Sequence, residues 1–406
     1  MTRNDIHTVI DNYVKKRKRH NIRSKFMNDY VDSNSWKGAE TWKDRNIDDF
    51  MNSATIYNPD NPYDILEINP HGDPFTHPIK SYTPNDSQKK IIDKKVNNLQ
   101  DLIDIIEENP IITNIEYNID IHSLHKILPS LRKLNNMVGM EMLKENIVDQ
   151  LLYYIQDLHI NKNTTTDFMH TVLYGPPGTG KTEIAQIIGE IFSNLGILKK
   201  KLFRKVIRSD LIAGYLGQTA LKTKDVINSC LGGVLFIDEA YALGSPDKRD
   251  SYSKECLDIL CEALSAHKDD LMVIIAGYED QLQDCFFEAN QGLESRFCWR
   301  FYTEKYSYEE LMRIFDKKVK EIGWTIHEKY LEESNFKENV DNFTSYGRDM
   351  ELLLSKVKIC HSRRVFTLPS EEKTKISVED INNGIAMFVK HKKKQDDFQN
   401  FRSMYT

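Results

Sequence analysis

Residues Gly175, Pro176, Pro177, Gly178, Thr179, Gly180, Lys181 and Thr182 follow the spacing G-x-x-x-x-G-K-[ST]. Glycines at these places let successive backbone N–H groups turn inward around a phosphate chain, and a helix beginning at the lysine adds positive potential. Lys181 then reaches the β- and γ-phosphates of a nucleotide, and the Thr182 hydroxyl ligates Mg²⁺. The bland alternative is a chance glycine loop. It weakens because an apolar run, FMHTVLY at 168–174, precedes the loop and an apolar helical stripe follows it.

A second group stands at GGVLFIDEA, residues 232–240. Four apolar residues followed by Asp238 and Glu239 describe a buried strand that delivers two carboxylates to its C-terminal edge, where parallel sheets bind ligands. Asp238 would hold Mg²⁺, directly or through water. Glu239 would orient the attacking water or take its proton. Acidic residues often follow strands, so the pair carries weight only because it comes after the glycine loop. Together the two groups read as ATP hydrolysis with Mg²⁺, whereas a loop without Glu239 would suit a binding switch.

The elements that must position these residues alternate along the chain. Strands are expected at Phe203–Arg208, Gly233–Ile237 and Leu271–Ala276. A helix should carry Ile184, Ile187, Ile188, Ile191, Phe192 and Leu195 on one face, with Gly196 ending it. Strands separated by helices imply βαβ units and a buried parallel sheet. After Phe301 helices take over, and Ser377 with Asp380 fits a capping box ahead of Ile381, Ile385 and Phe388. Upstream, Ile92, Val96, Leu99, Leu102, Ile103 and Ile106 recur at three- and four-residue steps and predict an amphipathic helix. A second short helix is expected over Ile121–Leu131.

The bulk numbers are those of a chain with room for two or three domains. It has 406 residues, 40% of them hydrophobic and 29% charged, and a net charge of -6. That balance supplies no electrostatic reason to expect nucleic acid as a partner. No apolar run is long enough to cross a bilayer, and the N-terminus lacks the apolar core of a secretion signal. The six cysteines form no CxxC pair or zinc spacing, so reduced thiols in the cytoplasm or another reducing compartment are expected. Six of the twelve prolines fall between Pro59 and Pro84, which reads as extended loop or linker. The basic run KKRKRHNIRSK at 15–25 reads as a solvated helix face. The polar tail from His391 is expected to fray.

Beyond these motifs, much of residues 134–350 resembles the AAA+ ATPases, most of all the clade of red-type Rubisco activase and stage V sporulation protein K. LNNMVGMEMLKENI (134–147), SDLIAGYLGQTALKTKDVI (209–227), VLFIDEAYAL, DDLMVIIAGYEDQL and NQGLESRF follow in the family's order. The resemblance implies that 134–147 lies beside the adenine. It places Tyr215, Leu216 and Gly217 where ring-forming members carry a pore loop that grips a polypeptide; a plain surface loop is the alternative. Arg296 falls at the arginine finger that completes a neighbouring subunit's site, with Arg300 as a substitute. Arg348 falls at sensor 2, opening a lid helix. Most of the wider family carries a polar sensor-1 residue where this chain reads AGY, ending on Tyr278, as does the resembling clade.

The expected architecture is therefore an α/β P-loop αβα domain over 134–303 with a parallel sheet, then a helical lid over 304–390 and a polar tail over 391–406. A polar, Pro-rich segment (1–85) and a helical accessory region (86–133) precede them. The resemblance implies a homo-oligomeric ring, with a hexamer expected, that binds ATP and Mg²⁺ and remodels a protein client. Two rivals are an AAA+ protein acting on nucleic acid and a nucleotide-dependent scaffold with little turnover. The Tyr215 loop and acidic charge speak against the first, and the joint presence of Lys181, Asp238, Glu239 and Arg296 against the second.

Overall fold

A computed structural model describes residues 56–58, 61–66, 88–160, 167–215, 217–244, 250–326 and 333–403. The chain divides into two units, 1–86 and 87–406. In the first, β1 (Ile56–Asn58) and β2 (Asn61–Leu66) pair antiparallel, with an irregular register where Asn58 meets Asn61. Part of the Pro-rich stretch is thus paired strand and not loop. Pro62 sits in a two-stranded ribbon, where a missing N–H can face outward. The basic run at 15–25 lies outside the described residues.

The second unit opens with β3 (Gln88–Lys90), α1 (Leu99–Glu108), β4 (Ile115–Tyr117) and α2 (Ile121–Asn135). β3 and β4 pair in parallel. The helix expected from Ile92 starts only at Leu99. Asn98 caps it by accepting the Asp101 N–H at 2.9 Å, and residues 91–97 form no helix, with the Ile92 N–H donated to the Asn118 side chain at 2.8 Å. α2 begins where expected, capped by Asp120, which accepts the Ser123 N–H at 3.0 Å. It then runs to Asn135, past Leu131.

Next come α3 (Glu141–Ile155), β5 (Thr171–Tyr174), α4 (Lys181–Asn194), β6 (Phe203–Val206), α5 (Thr219–Cys230), β7 (Val234–Ile237), α6 (Ser251–Ala266), β8 (Met272–Gly277) and β9 (Trp299–Tyr302). Strands β5 to β9 form a wholly parallel five-stranded sheet, in the order β6-β7-β8-β5-β9. Strands β7 and β8 are buried at every residue, as a sheet covered on both faces requires. Side-chain alternation sorts them. Val234, Phe236, Ile274 and Ala276 pack with Ile184, Ile188 and Ile191 of α4 on one face. Leu235, Ile237, Val273 and Ile275 pack with Val226 and Ile227 of α5 and Leu257 and Leu260 of α6 on the other. The expected αβα sandwich is therefore present. β9 is an addition that the sequence reading leaves without a strand, because Trp299, Arg300, Phe301 and Tyr302 show no clean alternation. Gly196, at φ +83°, ends the α4 segment as expected.

The accessory helices do not stand apart. Ile127, Leu131 and Leu134 of α2 share one buried cluster with Ile184, Ile187 and Ile188 of α4. At the rim of that contact, Glu190 accepts the Ser130 hydroxyl at 3.3 Å and pairs with Lys133 at 2.7 Å.

The helical end comprises α7 (Tyr308–Glu321), β10 (Thr325–Ile326), α8 (Glu333–Glu338), α9 (Tyr346–Arg364), β11 (Lys375–Ile376) and α10 (Val378–Ser403). Phe315, Phe336, Phe343, Leu353, Val357, Ile385 and Phe388 fill it. The capping box forms as expected: Asp380 accepts the Ser377 N–H at 3.0 Å, and the Ser377 hydroxyl accepts the Asp380 N–H at 3.2 Å. Asp380 is buried and also binds His361 Nδ1 (3.0 Å) and Arg364 (2.9 Å), which ties α10 to α9. The tail expected to fray from His391 continues α10 to Ser403. Its run HKKKQDDFQNFRS holds no Gly or Pro and is rich in residues that tolerate helix well.

Candidate functional site

The C-terminal ends of β5, β7 and β8 open onto a cavity of about 590 Å³. Its floor is the loop Gly175–Thr182. Gly175, Gly178 and Gly180 take φ of +144°, +77° and +86°, conformations open to glycine and strained for any other residue. Two of these glycines also touch what lies behind them. A Cβ on Gly175 would stand 1.9 Å from the Thr303 hydroxyl oxygen, and one on Gly178 would stand 1.9 Å from the Ser345 carbonyl oxygen. The loop is braced from the end of β9: the Thr303 hydroxyl bonds Thr179 Oγ1 at 2.8 Å and the Tyr174 carbonyl at 3.0 Å. Thr179 also donates to the Pro176 carbonyl at 2.9 Å, and its own carbonyl accepts the Tyr306 hydroxyl at 3.3 Å.

Lys181 donates to the carbonyls of Gly175 (2.8 Å) and Pro176 (2.6 Å), which holds its ammonium across the loop. Burial pushes that ammonium below its ordinary pKa, Asp238 and Glu239 draw it back up, and Arg348 opposes them. Such a partly desolvated cation pairs strongly with phosphate oxygens. Thr182 borders the same cavity.

Asp238 and Glu239 border it from the end of β7. Glu239 sits at φ +52°, ψ +45°, a left-handed turn held by a non-glycine residue at the sheet edge. Strain of this kind persists where the surroundings over-determine it and is common at functional sites. Asp238 Oδ1 accepts the Glu239 N–H at 3.1 Å, and Asp238 Oδ2 pairs with Lys205 of β6 at 2.6 Å. Lys205 has no motif around it, so it was invisible in the sequence; only the parallel pairing of β6 with β7 brings it there. Thr303 and Tyr306 escaped notice for the same reason.

From the helical end the cavity is bordered by Ile314, Lys317 and Lys318 of α7 and by Gly347 and Arg348 at the start of α9. Gly347 donates its N–H to the Gly178 carbonyl at 3.0 Å. Arg348 is exposed and makes no ion pair among the described residues. Met137 and Val138, from the segment expected beside the base, also border the cavity, as does Tyr278, whose ring lies 6.2 Å from that of Tyr241.

Arg296 is not brought to this cavity. Half-buried after the Gln291–Glu294 turn, it donates from Nε to the Ser265 hydroxyl at 2.6 Å and from a terminal nitrogen to the Gly292 carbonyl at 2.5 Å. Arg300 is also elsewhere, paired with Glu294 at 3.2 Å and lying 5.5 Å from the Phe287 ring centre. Tyr215 is 74% exposed on the loop ahead of α5, and Gly217 sits at φ +78° with open space around it. Leu216 lies outside the described residues. Cys256 of α6 is buried in the core and Cys261 is half-buried.

Known proteins resemble this chain over much of its length. The family described as "ATPase family associated with various cellular activities (AAA)" matches residues 171–300. A putative cfxQ-like protein of Acanthamoeba polyphaga mimivirus is 36% identical over 342 residues, spanning 82% of this chain and 83% of that one. A CfxQ homolog of Trieres chinensis is 33% identical over 279 residues, 66% of this chain and 95% of its own. The chloroplastic ribulose bisphosphate carboxylase/oxygenase activase of Cyanidioschyzon merolae is 32% identical over 257 residues, 60% of this chain and 87% of its own. Likeness that covers most of both chains, and not the phosphate loop alone, means that this protein belongs to the AAA family of ATPases, among its CfxQ-like members, and hydrolyses ATP.

Proposed function

We propose that the protein works as a ring, a hexamer by the habit of its family, in which ATP hydrolysis drives remodelling of a protein client. The observation that carries this reading is the separation of Arg296 from its own chain's cavity. Lys181, Asp238, Glu239 and Arg348 gather around one cavity, while Arg296 is held by Ser265 and Gly292 outside it. A cation so placed can serve a neighbouring subunit. The activase named among the relatives acts on a protein, which supports a protein client here as well. The exposed Tyr215 on its open loop is then the group that grips the client in the ring's channel.

Within the site, the loop 175–182 cradles the phosphates, Lys181 holds the β- and γ-phosphates, and Glu239 readies the attacking water. Arg348 binds the γ-phosphate from the lid, and Arg296 stabilises the transferring group of the adjacent subunit. Mg²⁺ suits this donor set. Thr182 and Asp238 both face the cavity, and Asp238 already draws the Lys205 ammonium to 2.6 Å, so its carboxylate is disposed to hold a cation. The metal would be held by Thr182 and Asp238 and would neutralise phosphate charge. We assign the parts as 1–85 Pro-rich segment, 86–133 accessory helices, 134–303 nucleotide domain, 304–390 lid and 391–406 tail. The unpaired cysteines suit a reducing compartment.

The test is ATP turnover per protomer across a wide protein-concentration series, beside Glu239→Gln and Arg296→Ala. Turnover per protomer should rise with concentration, and both variants should lose at least ~100-fold while still binding nucleotide. Flat turnover from a chain shown to be monomeric would rule out completion of the site between subunits.

A further inference from the structure

Helix α10 touches the segment that leads into α9 through Lys392. Lys392, on α10, donates to the Asn342 carbonyl and to the Thr344 hydroxyl (2.8 Å), and its ammonium lies 3.5 Å from the Asp349 carboxylate. Asp349 is 5% exposed and accepts the Ser345 N–H at 2.7 Å. A carboxylate at that depth needs a cation or several donors, and Lys392 supplies the cation. The ring of Phe388, one turn back on α10, lies 5.3 Å from that of Phe343 and completes the contact.

The same loop is fastened at its other side to the phosphate loop. The Ser345 carbonyl fills the space a side chain on Gly178 would need, and Gly347 donates its N–H to the Gly178 carbonyl. Between these anchors Tyr346 is held at φ +43°, a conformation a tyrosine keeps only when its surroundings impose it. Arg348 follows directly, with its side chain on the cavity. The segment 342–348 therefore takes its shape from two clamps, Gly178 on the nucleotide side and the Lys392–Asp349 pair on the α10 side.

We infer that Lys392 is a positioning residue for the nucleotide site. Through Asp349 and the 342–345 backbone it sets where the Gly347 N–H and the Arg348 guanidinium stand over the phosphate loop. The position of α10 and the state of the nucleotide are thereby coupled. The triphosphate-selective part of this inference rests on the reading of Arg348 as a γ-phosphate contact.

Titration of the full-length chain with fluorescent ADP and a fluorescent non-hydrolysable ATP analogue tests this, on Lys392→Met, Lys392→Arg and Arg348→Ala, with thermal unfolding alongside. Lys392→Met should weaken the ATP analogue roughly tenfold and ADP less, a coupling of ordinary size. Lys392→Arg should recover most of the loss, since a guanidinium still reaches Asp349. If Lys392→Met melts earlier but binds both nucleotides like the parent while folded, the positioning role is overturned and the lysine is a brace only. If Arg348→Ala binds the ATP analogue normally while Lys392→Met weakens both nucleotides alike, the coupling stands through Gly347 and the reading of Arg348 falls.

Discussion

At the scale of single residues, the site is held by conformations that few side chains accept. Gly178 shows this most clearly, because two separate constraints meet on it: φ of +77° and a backbone carbonyl where its Cβ would be. Gly196 has a similar φ of +83° with nothing within 4 Å, so it isolates the first constraint from the second. Gly196→Ala should therefore cost about 1 kcal/mol of stability and leave nucleotide affinity alone. Gly178→Ala must also push Ser345 away from the phosphate loop, and we expect at least ~10-fold weaker nucleotide binding, about 1.4 kcal/mol. Equal behaviour of the two variants in a nucleotide titration would show that the contact between Gly178 and Ser345 is dispensable. Lys181, Glu239 and Asp238 need no such comparison to be noticed, since each stands in a short motif.

At the scale of elements, the helical end depends on a polar node in place of a purely apolar seam. Asp380 caps α10 and at the same time holds Arg364 and His361 of α9. Burial alone would raise its carboxyl, but bonds from Arg364, the Ser377 backbone and His361 outweigh burial and bring it down to about 2. The sign follows from linkage. A carboxyl depressed in the folded state contributes stability that is complete above its unfolded value of about 3.9 and is lost as pH falls toward the folded value. Acid unfolding followed by circular dichroism should show a loss of helix between about pH 4 and pH 2 that Asp380→Asn lacks. The variant should already be less stable at neutral pH. An acid transition that is the same in both proteins would place the sensitivity elsewhere. The β-sheet elements behave differently: β7 and β8 are apolar throughout, and the titratable group bonded to the backbone of β8 is the buried His170, whose Nδ1 accepts the Val273 N–H at 3.1 Å.

At the scale of the whole second unit, the accessory helices and the nucleotide domain share one core. α2 lies along α4, the helix that begins at Lys181, with Leu131 fully buried. Leu131→Ala should cost about 2–5 kcal/mol as a large-to-small change in a closed core. Because the core is shared, calorimetry should show the nucleotide domain melting together with α1 and α2, and ATPase activity failing at the same temperature. Two separated transitions, with only the smaller moved by Leu131→Ala, would show that 86–133 folds by itself.

Much of this was legible in the sequence, and the reason is local. Phosphate binding needs contiguous backbone N–H groups, so Gly175–Thr182 carries its own signature. A buried parallel strand must be apolar along its length, so VLFI before Asp238 and Glu239 announces both its burial and its direction. Helix capping is equally local, and Ser377 with Asp380 could be read directly. What only the tertiary structure decided are the contacts made between residues far apart in the chain. Lys205 meets Asp238 because β6 pairs with β7, Thr303 reaches Thr179 because β9 lies beside β5, and Lys392 reaches Asp349 because α10 folds back on α9. The late start of α1 was likewise set by a cap, not by apolar spacing. Periodicity reports which face of an element is apolar; it carries no information about which distant element that face, or a lone lysine on it, will meet.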